Sequence, residues 1–384
     1  MSAKASGGRP IHVLLLCESL AVTGGVERFV CEIGNALALR GMSVTLGNVD
    51  TARERVVYPV DTRVRVTSSG KRLRPYGART RLGRGVASLR TRWRVGEALG
   101  RLIDAEQPDV IVFNGLVTAC SVLAWKREAR ARSICCDHNH FSARSRLWQR
   151  LRASIYPQVA AVVSLTEADR SKFAALNRNM RVIANTSSLH ADAPALPTAL
   201  CALAVGRHQA QKGFDLLLRA WVEVVRELPE ARLRIVGEGP LGGELAALAG
   251  ELGVASSVEW TAPTDRIESL YREAAVFVLS SRYEGMPLAL LEAQALGVPA
   301  VAFDCPTGPR EIVSAETGIV VPAEDVSALA QAIVRLLRDP ALRARMASAA
   351  IARSRAAFSR ERQVDAWAAL IDEVALTTRA KTAA

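Results

Sequence analysis

Two glutamates eight positions apart, Glu284 and Glu292, stand in the stretch Ser280–Glu311, SSRYEGMPLALLEAQALGVPAVAFDCPTGPRE. A carboxylate only accepts hydrogen bonds, and it can hold a pair of vicinal hydroxyls. Between them, Gly285-Met286-Pro287-Leu288 falls where a helix would begin. The backbone N–H groups from Gly285 to Ala289, apart from Pro287, which has none, would then be orphan donors that attract an anion such as a diphosphate. Earlier in the chain, Arg207 and Lys212 occur in Gly206-Arg207-His208-Gln209-Ala210-Gln211-Lys212-Gly213. Two cations between a strand and a helix suit a diphosphate through charge-assisted hydrogen bonds. His138 lies in Asp137-His138-Asn139-His140 after an apolar run, and Gly24-Gly25 lets the backbone come close to a ligand. Taken singly these signals are weak. Glutamate pairs are common on helices, a Gly-Gly pair is usually a turn, and paired histidines are usually structural.

The elements that must position these residues are legible from periodicity. Ala275–Leu279 is an apolar run that reads as a buried parallel strand. Pro287 then suits the first helical position, Leu288, Leu291, Ala295 and Leu296 recur at helical spacing, and Gly297 ends the helix. Pro299–Phe303 is the next strand. Further apolar runs predict strands at Ile11–Cys17, Met42–Leu46, Val64–Val66, Pro108–Asn114, Ser133–Cys136, Val159–Leu165, Arg181–Asn185, Leu200–Val205, Arg232–Gly237, Val258–Thr261 and Gly318–Val321. Helical patterns separate them, including one through Phe29, Ile33, Ala36 and Leu37, one over Val326–Arg338, and a final helix from Ser359 that contains Trp367. Strands alternating with helices predict an α/β fold with parallel sheets. A chain of 384 residues suggests two domains. Ser187–Thr198, rich in Ala, Pro, Ser and Asp, reads as the linker between them. In such sheets ligands bind at the C-terminal ends of strands, where His138 falls.

Glu284-Gly-Met-Pro-Leu-Ala-Leu-Leu-Glu292 resembles the E-x7-E signature of family-4 retaining glycosyltransferases of the GT-B class. The similarity extends to Ser280-Ser-Arg-Tyr before it and to Gly308-Pro-Arg-Glu311 after it. It also includes the G-R-x-x-x-x-K-G motif at Gly206–Gly213 and the G-G-x-E-R loop at Gly24–Arg28. The resemblance implies two facing Rossmann-like domains with parallel sheets. The first, 1–190, binds the acceptor and is joined by a C-terminal helix, 358–384, that crosses back to it; the second, 198–357, binds the nucleotide-sugar. It implies sugar transfer with retention from a nucleotide-sugar, a substrate rather than a cofactor. By the same resemblance Glu284 meets donor-sugar hydroxyls and Glu292 the ribose. Arg207 and Lys212 meet the diphosphate with Gly285, Met286, Pro287 and Leu288. His138 faces the donor sugar, and Gly24 and Gly25 line the donor–acceptor cleft. Two departures stand out: Asp137-His138-Asn139 has Asp for the usual Glu, and Ala184-Asn185 replaces Pro-Asn. No cofactor or metal is expected, since there is no D-x-D cluster and two cations already serve the diphosphate. The Gly308-Pro-Arg-Glu311 variant resembles relatives that build bacterial surface polysaccharides, often from UDP-sugars, so UDP is favoured over GDP. The transferred unit would be a hexose or an N-acetylhexosamine.

Charge adds a further expectation. The net charge of +12 is uneven: residues 1–197 hold 30 Lys and Arg against 15 Asp and Glu, and residues 198–384 hold 20 against 23. Arg63–Arg101 alone carries twelve basic residues and one acid, Glu97, with Leu82, Val86, Leu89 and Trp93 on one predicted helical face. Leu147, Trp148, Leu151 and Ile155, among Arg144, Arg146, Arg150 and Arg152, repeat the pattern. Such segments can lie on an anionic bilayer, or pack their stripe inward with the arginines solvated. They predict a cytoplasmic chain held peripherally at the inner membrane face, with a lipid-linked glycan acceptor as partner. A soluble acceptor is the alternative. A nucleic-acid partner is disfavoured, because aromatics are 5% of residues and no binding motif is present. A sugar-binding protein without catalysis is disfavoured by the complete set of site residues. The seven cysteines lack zinc or redox spacing and fit buried, reduced thiols.

Overall fold

The computed structural model describes residues 9–70 and 81–383, with residues 81–90 and 381–383 described by backbone alone. Runs of Val, Ile, Leu and Ala have no polar face to offer water, so the central strands are covered on both sides, while strands such as Arg65–Ser68 and Val258–Thr261 stay partly exposed. The strands are β1 (His12–Leu16), β2 (Ser43–Asn48), β3 (Arg65–Ser68), β4 (Val110–Asn114), β5 (Ser133–Asp137), β6 (Ala161–Ser164), β7 (Met180–Val182), β8 (Cys201–Val205), β9 (Arg232–Val236), β10 (Val258–Thr261), β11 (Val276–Leu279), β12 (Ala300–Phe303) and β13 (Gly318–Val321). They make two parallel sheets, ordered β3-β2-β1-β4-β5-β6-β7 and β10-β9-β8-β11-β12-β13. In each, the strand order reverses beside the first strand, at β1/β4 and at β8/β11, which is where doubly wound sheets open a crevice.

The chain divides into two compact units. Unit 1 runs to Leu165 and adds Asp169–Ile183 and the residues from Val364 onward; unit 2 comprises Thr166–Ala168 and Ala184–Gln363. In unit 1, Leu14, Leu16, Ile111, Phe113 and Cys135 of the sheet pack against Val95, Leu99 and Ile103 of the helix Arg81–Glu106. In unit 2, Leu233, Ile235, Val278 and Val301 pack against Leu217, Leu218 and Trp221 of Phe214–Glu227, and against Leu329, Ile333 and Leu336 of Val326–Arg338. The helix Arg360–Ala383 returns to unit 1 from Val364. There its Trp367 ring lies 5.8 Å from that of Phe29, and Glu373 accepts from Asn179 at 2.9 Å and Arg181 at 3.2 Å.

Several elements differ in detail from their sequence reading. Pro287 is extended (ψ 112°) and caps the helix Leu288–Ala295 instead of opening its first turn. β7 stops at Val182, short of the expected Asn185, and a 3-10 turn, Glu167–Asp169, leads into the helix Arg170–Ala174. The Ser187–Thr198 segment belongs to unit 2, where Arg355 donates to the Ala191 carbonyl at 2.8 Å and to Asp192 at 2.7 Å. Trp93 is 68% exposed, off the expected apolar stripe. Val95, Ala98, Leu99 and Leu102 face the core, and a residue two before Val95 lies about 200° around the helix from it. Lys71, Arg72, Arg74 and Arg79, and the side chains of Arg81, Leu82, Arg84, Val86, Leu89 and Arg90, lie outside the described residues. Six of the seven cysteines are buried and none is bridged, and burial pushes the Cys31, Cys120 and Cys305 thiols up to about 12.

Candidate active site

In unit 2, β8 and β11 are neighbours, so the loops leaving their ends, Gly206–Gly213 and Ser280–Pro287, emerge side by side. Glycine allows the loops to meet. Gly213 has φ +61°, and a Cβ there would lie 2.0 Å from the Ser280 carbonyl. The Ser280 hydroxyl donates to the Lys212 carbonyl at 2.9 Å, and Gln211 donates to the Tyr283 carbonyl at 3.0 Å. Arg282 grips Asp215 with two bonds of 2.8 and 2.7 Å, fixing the second loop to the start of Phe214–Glu227.

Across this junction Lys212 Nζ reaches Glu284 Oε1 at 2.7 Å, and the Ser281 hydroxyl donates to the same oxygen at 2.7 Å. Glu284 is 5% exposed. Both bonds fall on one oxygen, and the second oxygen of a carboxylate is a further acceptor. Lys212 keeps two further N–H donors beside the pair. The Glu284 carbonyl accepts from Thr307 at 2.7 Å. Gly308 (φ +94°) presses on the same loop, and a Cβ on it would meet the Gly285 carbonyl at 2.6 Å and Pro287 Cδ at 2.7 Å. The Asn185 amide donates to the Met286 carbonyl at 3.4 Å. Gly285, Met286, Pro287 and Leu288 are thus pinned at the mouth of the helix Leu288–Ala295, whose first N–H groups have no acceptor within the helix. One turn on, Glu292 is 4% exposed and accepts from the Tyr271 hydroxyl at 2.8 Å. Arg207 is half-buried at the start of the first loop.

Unit 1 holds the other set. Gly24 caps the helix Gly25–Leu39 just beyond β1. Its φ of −169° is extended backbone open to any residue, so what glycine supplies there is the missing side chain. β4 ends in Asn114 and β5 in Asp137, with His138 directly after. His138 Nε2 lies 3.1 Å from Asn114 Oδ1, and Phe29 packs edge-on to the imidazole at 4.8 Å. Burial holds the His138 pKa down at about 4, so the ring is neutral at pH 7.

Behind it, Asp137 accepts from the Tyr156 hydroxyl at 2.5 Å and from Arg152 at 3.2 Å. Burial pushes the Asp137 carboxyl up, and these two partners pull it back. Arg152 is 1% exposed, stacks 3.5 Å from the Phe141 ring centre and donates to the Phe141 carbonyl at 2.8 Å. It therefore leaves the basic surface expected for Arg144–Ile155, because the buried carboxylate captures it. Arg144, Arg146, Leu147 and Arg150 remain exposed.

The expected site residues fall into these two sets, one per unit. Ser281, Thr307, Tyr271 and Asn114 were not anticipated. Ser281 could have been found from its place three residues before Glu284. The other three reach the site from other loops, helices or strands and leave no local signal. Among the described residues no group of three or more His, Cys, Asp or Glu is placed to share a metal ion.

Two sequence profiles match this chain: Glycosyltransferase Family 4 over residues 23–187, and Glycosyl transferases group 1 over residues 200–339. Both switch-point loops described above lie inside these spans. The chain belongs to the family-4 glycosyltransferases of the GT-B class. This glycosyltransferase is 28% identical over 350 residues to the amylovoran biosynthesis glycosyltransferase AmsD of Erwinia amylovora, spanning 88% of this chain and 93% of that one. Its fold matches the sucrose-phosphate synthase of Thermosynechococcus elongatus with a TM-score of 0.77 at 21% identity, covering 95% of this chain and 99% of the other. It also matches Anabaena HepE, solved with UDP and glucose, with a TM-score of 0.74 at 19% identity over 94% and 100% of the two chains.

Proposed function

We propose that this glycosyltransferase moves a hexosyl or N-acetylhexosaminyl unit from a UDP-sugar, with retention, onto a lipid-linked glycan during polysaccharide assembly. The observation that carries the proposal is the Lys212–Glu284–Ser281 cluster at the mouth of the helix Leu288–Ala295. It sets a cation, a partly satisfied carboxylate and orphan N–H donors at one strand end, as a sugar diphosphate requires. In this reading the diphosphate lies on the helix mouth with Arg207 and Lys212, which stabilise the charge that develops as it leaves. Glu284 holds the sugar hydroxyls and Glu292 the ribose. No carboxylate is placed as a covalent nucleophile in this scheme, and the departing phosphate takes the acceptor proton on the face it leaves. The UDP and polysaccharide assignments are supported by the UDP bound in the HepE structure and by the amylovoran role in the name of AmsD.

Incubation of the purified protein with radiolabelled UDP-sugars and a membrane extract tests the whole scheme. The expected product is a chelator-insensitive, α-configured linkage from an α-linked donor. An inverted product, turnover only with Mn²⁺ or Mg²⁺, or a thermal shift with GDP and none with UDP would each overturn the corresponding part.

For the acceptor side, we propose peripheral docking on an anionic bilayer through the basic surface of unit 1, which exposes Trp93, Arg94, Arg146, Leu147 and Arg150. Among the described residues no helix is long and apolar enough to cross a membrane. Each arginine near such a surface contributes about 1 kcal/mol. Salt-sensitive co-sedimentation with anionic liposomes, lost in the Arg94, Arg146 and Arg150 charge reversals, is expected. Binding that ignores lipid charge, or no binding, would favour a soluble acceptor.

A further inference from the structure

Asn114 sits at the C-terminal end of β4, beside the end of β5, so its side chain stands next to His138. Its orientation is fixed. Asn114 Nδ2 donates to the Leu16 carbonyl at 3.2 Å, at the end of β1. A carbonyl only accepts, so the amide nitrogen must face Leu16, and Oδ1 must face His138. Oδ1 in turn only accepts, and His138 Nε2 lies 3.1 Å from it. The nitrogen that meets Asn114 must therefore carry the proton. A second wall holds the ring in place: Phe29 packs on it at 4.8 Å and is itself backed by Trp367 at 5.8 Å.

We infer that Asn114 is a positioning residue that locks His138 as the Nε2–H tautomer, leaving Nδ1 as a bare acceptor for a substrate hydroxyl. The inference rests on the proposed function together with the expectation, drawn from the family resemblance, that His138 faces substrate. It assigns His138 a direction of hydrogen bonding: the ring receives a hydroxyl proton in its hydrogen bond and gives none to the transferring sugar or acceptor. A neutral acceptor orients a hydroxyl without placing a positive charge beside it. The tautomer logic is that of imidazoles elsewhere, where the group on one ring nitrogen decides what the other can do.

The test uses the full chain labelled with 15N-histidine. Long-range proton–nitrogen spectra at pH 7 report which nitrogen of each of the five histidines carries the proton, and the signals of His138 are those lost in His138→Asn. The expected result is protonation at Nε2 and a bare Nδ1 in the wild type. Asn114→Ala should give a mixture of tautomers and lower kcat by about 10- to 100-fold, the range seen when partners of metal-bound imidazoles are removed. Its Kd for UDP should not change, since the proposed nucleotide ligands lie in unit 2. Asn114→Asp keeps an acceptor toward Nε2 and should keep the tautomer and most of kcat. A wild-type His138 protonated at Nδ1 overturns the inference, as does Asn114→Ala with wild-type tautomer and kcat. If Asn114→Ala does not fold, the wild-type spectrum and Asn114→Asp still decide. Wild-type kcat in His138→Ala would instead remove His138 from the site, a failure of the proposed function that the spectrum would not share.

Discussion

The two units solve the same problem in opposite electrostatic styles. Both present loops at a strand-order reversal of a parallel sheet. In unit 2 those loops carry charge on charge, Lys212 against Glu284 and Arg282 against Asp215, tied by short bonds. In unit 1 the strand ends carry neutral groups, Asn114 and His138, and the charges sit one layer deeper, where Arg152 meets Asp137. The contrast teaches what each end can bind. A charged, donor-rich mouth favours a diphosphate, whereas a neutral imidazole against a pinned amide favours a hydroxyl.

The largest expected effect breaks the deep layer of unit 1. Arg152→Ala strands the Asp137 carboxylate and should cost about 3–5 kcal/mol in denaturant unfolding. Arg152→Met combined with Asp137→Asn should recover part of that loss, because neither charge is then left alone. Equal destabilisation in both variants would show that packing of the arginine, not its charge, is what matters. Next comes the charged mouth of unit 2. Lys212→Ala should lower kcat by on the order of 10²–10³ in a folded protein, measured under saturating donor. Wild-type turnover would remove Lys212 from the chemistry and leave it a structural ion pair.

The neutral layer of unit 1 makes a pH prediction. His138 titrates at about 4 when folded and near 6.5 when unfolded. As pH falls below 6.5 the unfolded chain gains a proton that the folded ring refuses, so stability falls between 6.5 and about 4. The loss reaches at most about 3 kcal/mol. Melting curves of wild type and His138→Phe should diverge over that window and run parallel above it. The smallest effect sharpens the other end of unit 2. Tyr271→Phe removes one hydrogen bond to Glu292 and should weaken UDP binding by about 1 kcal/mol, seen by calorimetry as a roughly fivefold rise in Kd.

The strands were legible because a buried parallel strand is an unbroken apolar run, and β8, β11 and β12 needed nothing else. Arg207 and Lys212 in one stretch, and Glu284 and Glu292 in another, stood out because each pair sits in a local motif that resembles a known family's and needs no fold to be read. Asn114 and Tyr271 did not, since each meets its partner only after distant strands and helices pack. Arg152 misled for the same reason: beside Arg146 and Arg150 it reads as one more surface cation. Only the Asp137 carboxylate beneath it, fifteen residues earlier, draws it inward. Pro287 suits a helix start in the sequence, but whether it caps the helix or opens its first turn depends on a ψ angle no residue type dictates.

The return of the last helix to unit 1 bears on how the molecule is made. A ribosome extends a chain from its N-terminus at about 5–20 residues per second. Residues up to Ile183 therefore emerge well before Trp367, Leu370, Ile371 and Val374, which are buried in the finished structure. Ala184–Gln363, nearly all of unit 2, must be synthesised between them. During that interval Phe29 lacks its Trp367 neighbour, and Arg181 and Asn179 lack Glu373. The nascent first unit waits, with apolar surface showing, for the segment that closes it. Chains stopped after Gln363 should accumulate with chaperones or proteases even though nearly every site residue has been built.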